Sequence, residues 1–128
     1  MADQISIQPP VLDLSLYAGD GVAFRLICKD DEEPPAPIPI TGTVQAQVRL
    51  DRSAEALAIV AFSSDLTDAD QGIIVLSLTG EQTQTLVEDP SSKKGKFTGV
   101  WDVQWVATDS EPRTLCQGKV ECMADVTR

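Results

Sequence analysis

Hydrophobic and polar residues alternate with a period of two along most of this chain. The clearest case is Gly99 to Ala107, where Trp101, Val103 and Trp105 fall on one side and Asp102 and Gln104 on the other. Alternation of this length predicts a strand with one buried and one wet face. Both tryptophans of the protein lie on the apolar side. Two indoles on one face are the largest apolar contribution the chain can make, so Trp101, Val103 and Trp105 are the expected core anchors. The same reading gives Thr43 to Leu50, with Val44, Ala46, Val48 and Leu50 against Gln45, Gln47 and Arg49. It gives Val11 to Tyr17, with Leu12, Leu14 and Leu16 against Asp13 and Ser15, and Val22 to Lys29, with Phe24, Leu26 and Cys28 on one face. Arg113 to Met123 places Cys116, Gly118, Val120 and Cys122 opposite Gln117, Lys119 and Glu121.

Two further segments are read by composition. Leu57 to Phe62 is apolar throughout, and Ile73 to Leu78 is rich in β-branched residues; both suit strands. Thr79 with Gln82 three residues later matches a capping box, predicting one short helix through Val87. Turn residues separate the strands. Ala18 to Gly21 joins the first two as a hairpin or as a crossover between sheets. Gly99 to Met123 reads as an antiparallel hairpin. With about seven strands and no helices long enough for crossovers, the expected fold is all-β: an antiparallel two-sheet β-sandwich, immunoglobulin-like, or a barrel, with one short helix. The expected packing sets the Trp101 face against Leu14, Phe24, Leu26, Val48 and Leu76.

Residues 1–10 end in Pro9-Pro10 and read as an extended N-terminal arm, leaving 11–128 as a single sandwich domain. Asp30 to Thr41 carries Asp30, Asp31, Glu32 and Glu33 ahead of Pro34, Pro35, Pro37 and Pro39, which predicts a stiff, exposed, extended loop.

Charge and chemistry narrow the function. The formal net charge is −10, which opposes binding to nucleic acid or to anionic membranes. No apolar run reaches the roughly 20 residues needed to span a bilayer, and no basic stretch leads into an apolar one at the N-terminus. Cys28, Cys116 and Cys122 are expected to be reduced, buried small hydrophobes; Cys116 and Cys122 would lie about 20 Å apart along one strand, too far to bridge. Without histidine, the commonest general base and the usual triads are missing, and no phosphate-binding glycine pattern is present. Asp65, Asp68 and Asp70 precede Gly72, but the spacing is not that of a calcium loop and turn chemistry accounts for it. Lys93, Lys94 and Lys96 read as a solvated loop tip. The expectation is a non-enzymatic protein with no catalytic, cofactor or metal site.

Several stretches, in their order, carry a resemblance. Leu12 to Gly21 leads into Val22 to Lys29; Ile40-Thr-Gly-Thr-Val-Gln-Ala-Gln-Val-Arg49 follows. Gly72 to Thr79 runs into Glu81-Gln82-Thr83, and Gly99-Val-Trp-Asp-Val103 stands before Gly118-Lys-Val120 and the ending Asp125 to Arg128. This order resembles the small β-sandwich domain of bacteriophage tail and baseplate proteins, such as the N-terminal domain of upper baseplate proteins and the minor tail proteins of phages that infect actinobacteria. The proline stretch Pro34 to Pro39 is longer than that family's pattern at the same place. The resemblance implies a structural virion protein at the tail tip or baseplate, assembled in the host cytoplasm. It would be multi-copy in a symmetric assembly and would dock on other virion proteins. Ile5, Ile7, Pro9, Pro10, Pro34, Pro35, Pro37, Ile38 and Pro39 are the candidate partner contacts. A capsid decoration protein and a carbohydrate-binding or adhesion sandwich are the alternatives.

Overall fold

The computed structural model describes residues 10–29, 36–53, 57–108 and 111–124. Eight strands and one α-helix are formed: β1 (Leu14–Tyr17), β2 (Val22–Ile27), β3 (Thr43–Arg49), β4 (Ala58–Ala61), β5 (Ser63–Asp65), β6 (Ile73–Leu78), α1 (Gly80–Glu88), β7 (Lys96–Val106) and β8 (Arg113–Met123). They make a five-stranded sheet in the order β1-β8-β7-β3-β4 and a three-stranded sheet in the order β2-β6-β5. The fold is an all-β two-sheet sandwich with one short helix, as the alternation predicts.

The core is built on the inner face of β7. Trp101 is 1% exposed and Trp105 7%, and Val103 is fully buried between them. Phe24 of β2 meets Trp101 edge-on at 5.7 Å between ring centroids, and Phe62 lies 5.6 Å from the same ring. Val48 and Leu76 are fully buried, while Leu14, Phe24 and Leu26 are half-buried and pack against the core. Each indole N–H is satisfied, by the carbonyl of Leu12 at 2.7 Å and that of Thr41 at 2.6 Å. Burial of the rings therefore leaves no orphan donor.

Of the two readings of the Ala18 to Gly21 turn, the crossover holds, and β1 pairs with β8 in parallel rather than antiparallel, Leu14 opposite Val120 and Tyr17 opposite Met123. Every other named strand pair is antiparallel. The apolar run Leu57 to Phe62 forms β4 of the larger sheet, as expected, but the chain then changes sheets: Phe62 turns inward with its N–H on the Ala46 carbonyl, and a further short strand, β5, begins at Ser63 in the smaller sheet. Leu57 is 85% exposed. The strand read over Val11 to Tyr17 starts only at Leu14, and Leu12 is exposed, because the Leu12 carbonyl turns toward the Trp101 indole. The Asp13 carboxylate replaces a backbone acceptor, taking the Lys119 N–H at 3.0 Å. Gly118 permits this approach: a Cβ there would lie 1.9 Å from the Leu12 oxygen.

The helix closes the region where β6 leaves the smaller sheet. The Thr79 hydroxyl accepts the Gln82 N–H and the Gln82 side chain accepts the Thr79 N–H, the reciprocal box predicted from sequence. Leu86 and Thr83 are fully buried on its inner face, and α1 packs against β1, β4, β7 and β8. The Thr83 hydroxyl accepts the Gly19 N–H at 3.1 Å and lies 3.0 Å from the carbonyls of Asp20 and Gly80, so it fixes the crossover turn to the helix.

Candidate docking surfaces and a polar groove

The expected contact residues separate into three groups. Ile5, Ile7, Pro9, Pro34 and Pro35 lie outside the described residues. Pro10 is exposed, and its carbonyl accepts the Gln117 N–H at 3.1 Å, so the root of the N-terminal segment is tied to β8. Pro37, Ile38 and Pro39 are extended with exposed prolines, as expected, but the segment is fastened to the smaller sheet rather than standing off it as a loop. Pro37 bridges Lys29, the Ile38 N–H donates to the Cys28 carbonyl at 2.9 Å, and the Ile40 N–H donates to the Ala69 carbonyl at 2.8 Å. The prolines face solvent while Ile38 is half-buried and Ile40 buried, so this piece is an extended border of the smaller sheet. Proline removes donors only on alternate residues here, and the two isoleucines supply the N–H groups that fasten it.

The edge of the larger sheet carries exposed apolar side chains. β1 is its terminal strand, and Val11 is 70%, Leu12 44% and Tyr17 50% exposed along the segment that continues from Pro10. An unpaired edge with apolar side chains is a site for contact with another chain.

On the outer face of the same sheet, register brings polar side chains of three strands into rows. Gln47 stands opposite Asp102, and Asp102 opposite Gln117; one step along, Arg49, Val100 and Lys119 form the next row. Over these rows lies a groove of about 260 Å³, with Asp51 and Arg52 of the β3–β4 connection at its rim. Arg49 donates from Nη2 to Gln47 Oε1 at 2.7 Å, and Arg52 from Nη1 to Gln117 Oε1 at 2.6 Å. Among the described residues the buried Arg49 Nε–H has no hydrogen-bond partner. A buried donor left unpaired costs about 1–3 kcal/mol. The alternation of each strand marked these residues as a wet face; their convergence depends on register, which local sequence does not encode.

The thiols are free, with Cys116 and Cys122 buried and Cys28 half-buried rather than fully buried as expected. Burial pushes all three pKa values up, Cys122 to about 11, so the neutral thiol dominates at pH 7. The Asp65 carboxylate takes the Thr67 hydroxyl at 2.6 Å and its N–H at 2.9 Å, and these bonds hold its pKa down. Side-chain-to-backbone bonds of this kind account for the turn. Lys93 and Lys96 exchange N–H···O bonds around Lys94 and Gly95, both at positive φ, a tight two-residue hairpin turn that presents the lysines to solvent. Among the described residues no helix is long and apolar enough to cross a membrane. No family model matches the chain, and a search of curated proteins finds no match either.

Proposed function

We propose that this chain is a non-enzymatic structural component of a bacteriophage virion that acts by protein–protein docking at the tail tip or baseplate. The observation that carries the docking reading is the exposed apolar border formed by Tyr17 of the edge strand β1 and by Val11 and Leu12 of the segment that leads into it from Pro10. The order of strand motifs, which resembles phage tail sandwiches, supplies the setting. Parallel pairing of β1 with β8 holds Tyr17, and the Leu12 carbonyl on the Trp101 indole ties the preceding segment to the core. A partner strand added there would meet a pre-ordered edge and would lose little conformational entropy on binding.

The test is deletion of residues 1–9, which removes the arm and keeps the Pro10 contact with Gln117. Circular dichroism should show the truncated chain folded, and mass spectrometry of purified virions should show it missing from particles. A folded truncation present at the normal copy number removes the arm from the docking surface. Absence of the full-length protein from purified virions overturns the structural-protein reading itself.

A further inference from the structure

We propose that a second copy of this chain packs on the outer face of the smaller sheet, face to face, about a two-fold axis parallel to β6. This goes beyond the docking reading, which uses an edge of the larger sheet, and does not rest on it. The outer faces of the two sheets differ. On the larger sheet the side opposite Trp101 carries Gln47, Asp102, Gln117 and Lys119, as suits a face that meets water. On the smaller sheet the rows run Arg25, Val75, Asp65 and, one step along, Ile27 beside Ile73. Ile27 is 55% exposed, and Ile73 and Val75 are half-buried on this outer side, while Ile74 and Leu76 are fully buried on the inner one. The central strand β6 is thus apolar toward both sides from Ile73 to Leu76, the pattern of a strand covered on both faces.

Self-complementarity selects the occupant. Val75 of β6 stands between Arg25 of β2 and Asp65 of β5. A two-fold axis lying between two such faces and parallel to β6 exchanges the flanking strands and keeps each row in place. Each Arg25 then stands over the other copy's Asp65, Val75 over Val75 and Ile73 over Ile73. An axis at right angles to the strands would stack Arg25 on Arg25 and Asp65 on Asp65, and like charges oppose that arrangement. The Asp65 carboxylate is oriented by the Thr67 N–H and hydroxyl, and Arg25 makes no ion pair with any described residue. A lone peptide strand fits less well, because it would add to unpaired backbone at an edge and not to this face. Nucleic acid and anionic membranes meet a chain of net charge −10. A second copy supplies the reversed order of charges by symmetry alone. The face is small: strands of six residues at ~3.4 Å each make it about 20 Å long. Such a contact falls below the standard interface size, so the dimer is weak, with Kd on the order of 100 µM.

The experiment is sedimentation equilibrium of the full chain from about 10 µM to about 1 mM, in about 0.15 M salt so that the net charge is screened beyond roughly 8 Å. The expected result is a weight-average mass that rises toward twice the monomer value. Val75→Glu, Arg25→Asp and Asp65→Arg should each weaken the dimer by about tenfold or more. An equal mixture of the Arg25→Asp and Asp65→Arg chains should dimerise again, because each altered charge then faces its opposite. Gln104→Ala, on the outer face of the larger sheet, should leave dimerisation unchanged. Circular dichroism reports the folding of each variant, and Arg25→Asp with Val75→Glu decide the matter if Asp65→Arg unfolds through loss of the Thr67 bonds. A parent chain that stays monomeric at every concentration overturns the proposal and leaves the face to a different kind of partner. So does a dimer that survives Val75→Glu and Arg25→Asp; its loss on deletion of residues 1–9 would place the contact at the edge of the larger sheet instead.

Discussion

Replacing Trp101 by alanine tests the architecture at its centre. The side chain is 1% exposed, and the rings of Phe24 and Phe62 stand against it at 5.7 and 5.6 Å. A buried tryptophan covers about 150–250 Å², which at ~25 cal/mol per Å² corresponds to about 4–6 kcal/mol for the whole side chain. Core replacements of this type cost about 3–5 kcal/mol, because alanine keeps part of the burial and neighbours relax only partly into the cavity. The Leu12 carbonyl also loses its donor, but Leu12 is exposed and water can replace the indole, so this adds little. Total stability of a small domain is about 5–15 kcal/mol, so the variant should still fold with a much reduced margin. In urea, with a slope of ~2 kcal/mol per M, the midpoint should fall by about 2 M. Trp105 remains as the fluorescent reporter, and Trp101→Phe separates ring volume from the indole bond, with an expected loss of about 1–2 kcal/mol. A midpoint for Trp101→Ala within error of the parent would refute the assignment of Trp101 to the core.

The remaining predictions probe other parts of the fold. Because Cys122 rises from 9.0 to about 11 on folding, the unfolded chain releases its proton first. Stability should therefore fall as pH rises from about 9 to 11; Cys122→Ala should flatten that decline in urea titrations, and an unchanged slope counts against the buried neutral thiol. Gly118→Ala places a methyl 1.9 Å from the Leu12 oxygen. It should displace Pro10 to Asp13 at a cost of about 2–4 kcal/mol, read as faster amide exchange at Leu12, Gln117 and Lys119. Thr83→Val keeps the shape but leaves the Gly19 N–H without its acceptor; a loss of about 1–3 kcal/mol is expected in thermal or urea melts.

What could be read from sequence was what is local. The capping box lies within four residues, so Thr79 and Gln82 identified the helix start directly. Alternation placed Trp101, Val103, Trp105, Val48 and Cys122 on the inner side because side-chain direction in a strand is set by the backbone itself. Partner choice is not local. Nothing in LSLY distinguishes a hairpin partner of β2 from a parallel neighbour of β8, since both bury Leu14 and Leu16 alike. The switch at Phe62 was hidden because LAIVAF has no period, so its one inward aromatic could not be told from its neighbours. The border Pro37 to Ile40 was masked by its prolines, although isoleucines at alternate positions carried the strand signal. The groove failed for the same reason as the pairing: Gln47, Asp102 and Gln117 belong to separate strands, and only register makes them a row.

These features meet at one place. Gln117 donates its N–H to Pro10 and accepts from Leu12 with its carbonyl, while its side chain accepts from Arg52 at the groove. Asp102, its cross-strand neighbour, immediately follows Trp101 in β7, and the indole of Trp101 holds the Leu12 carbonyl from the inner side. The core ring, the root of the N-terminal segment and the polar groove are therefore joined through Gln117, Trp101 and Leu12. The packed ring fixes the Leu12 backbone, the Leu12 backbone fixes the exposed edge, and Gln117 sets the rim of the groove. A partner on the edge would accordingly bear on the stretch of β8 that also lines the groove.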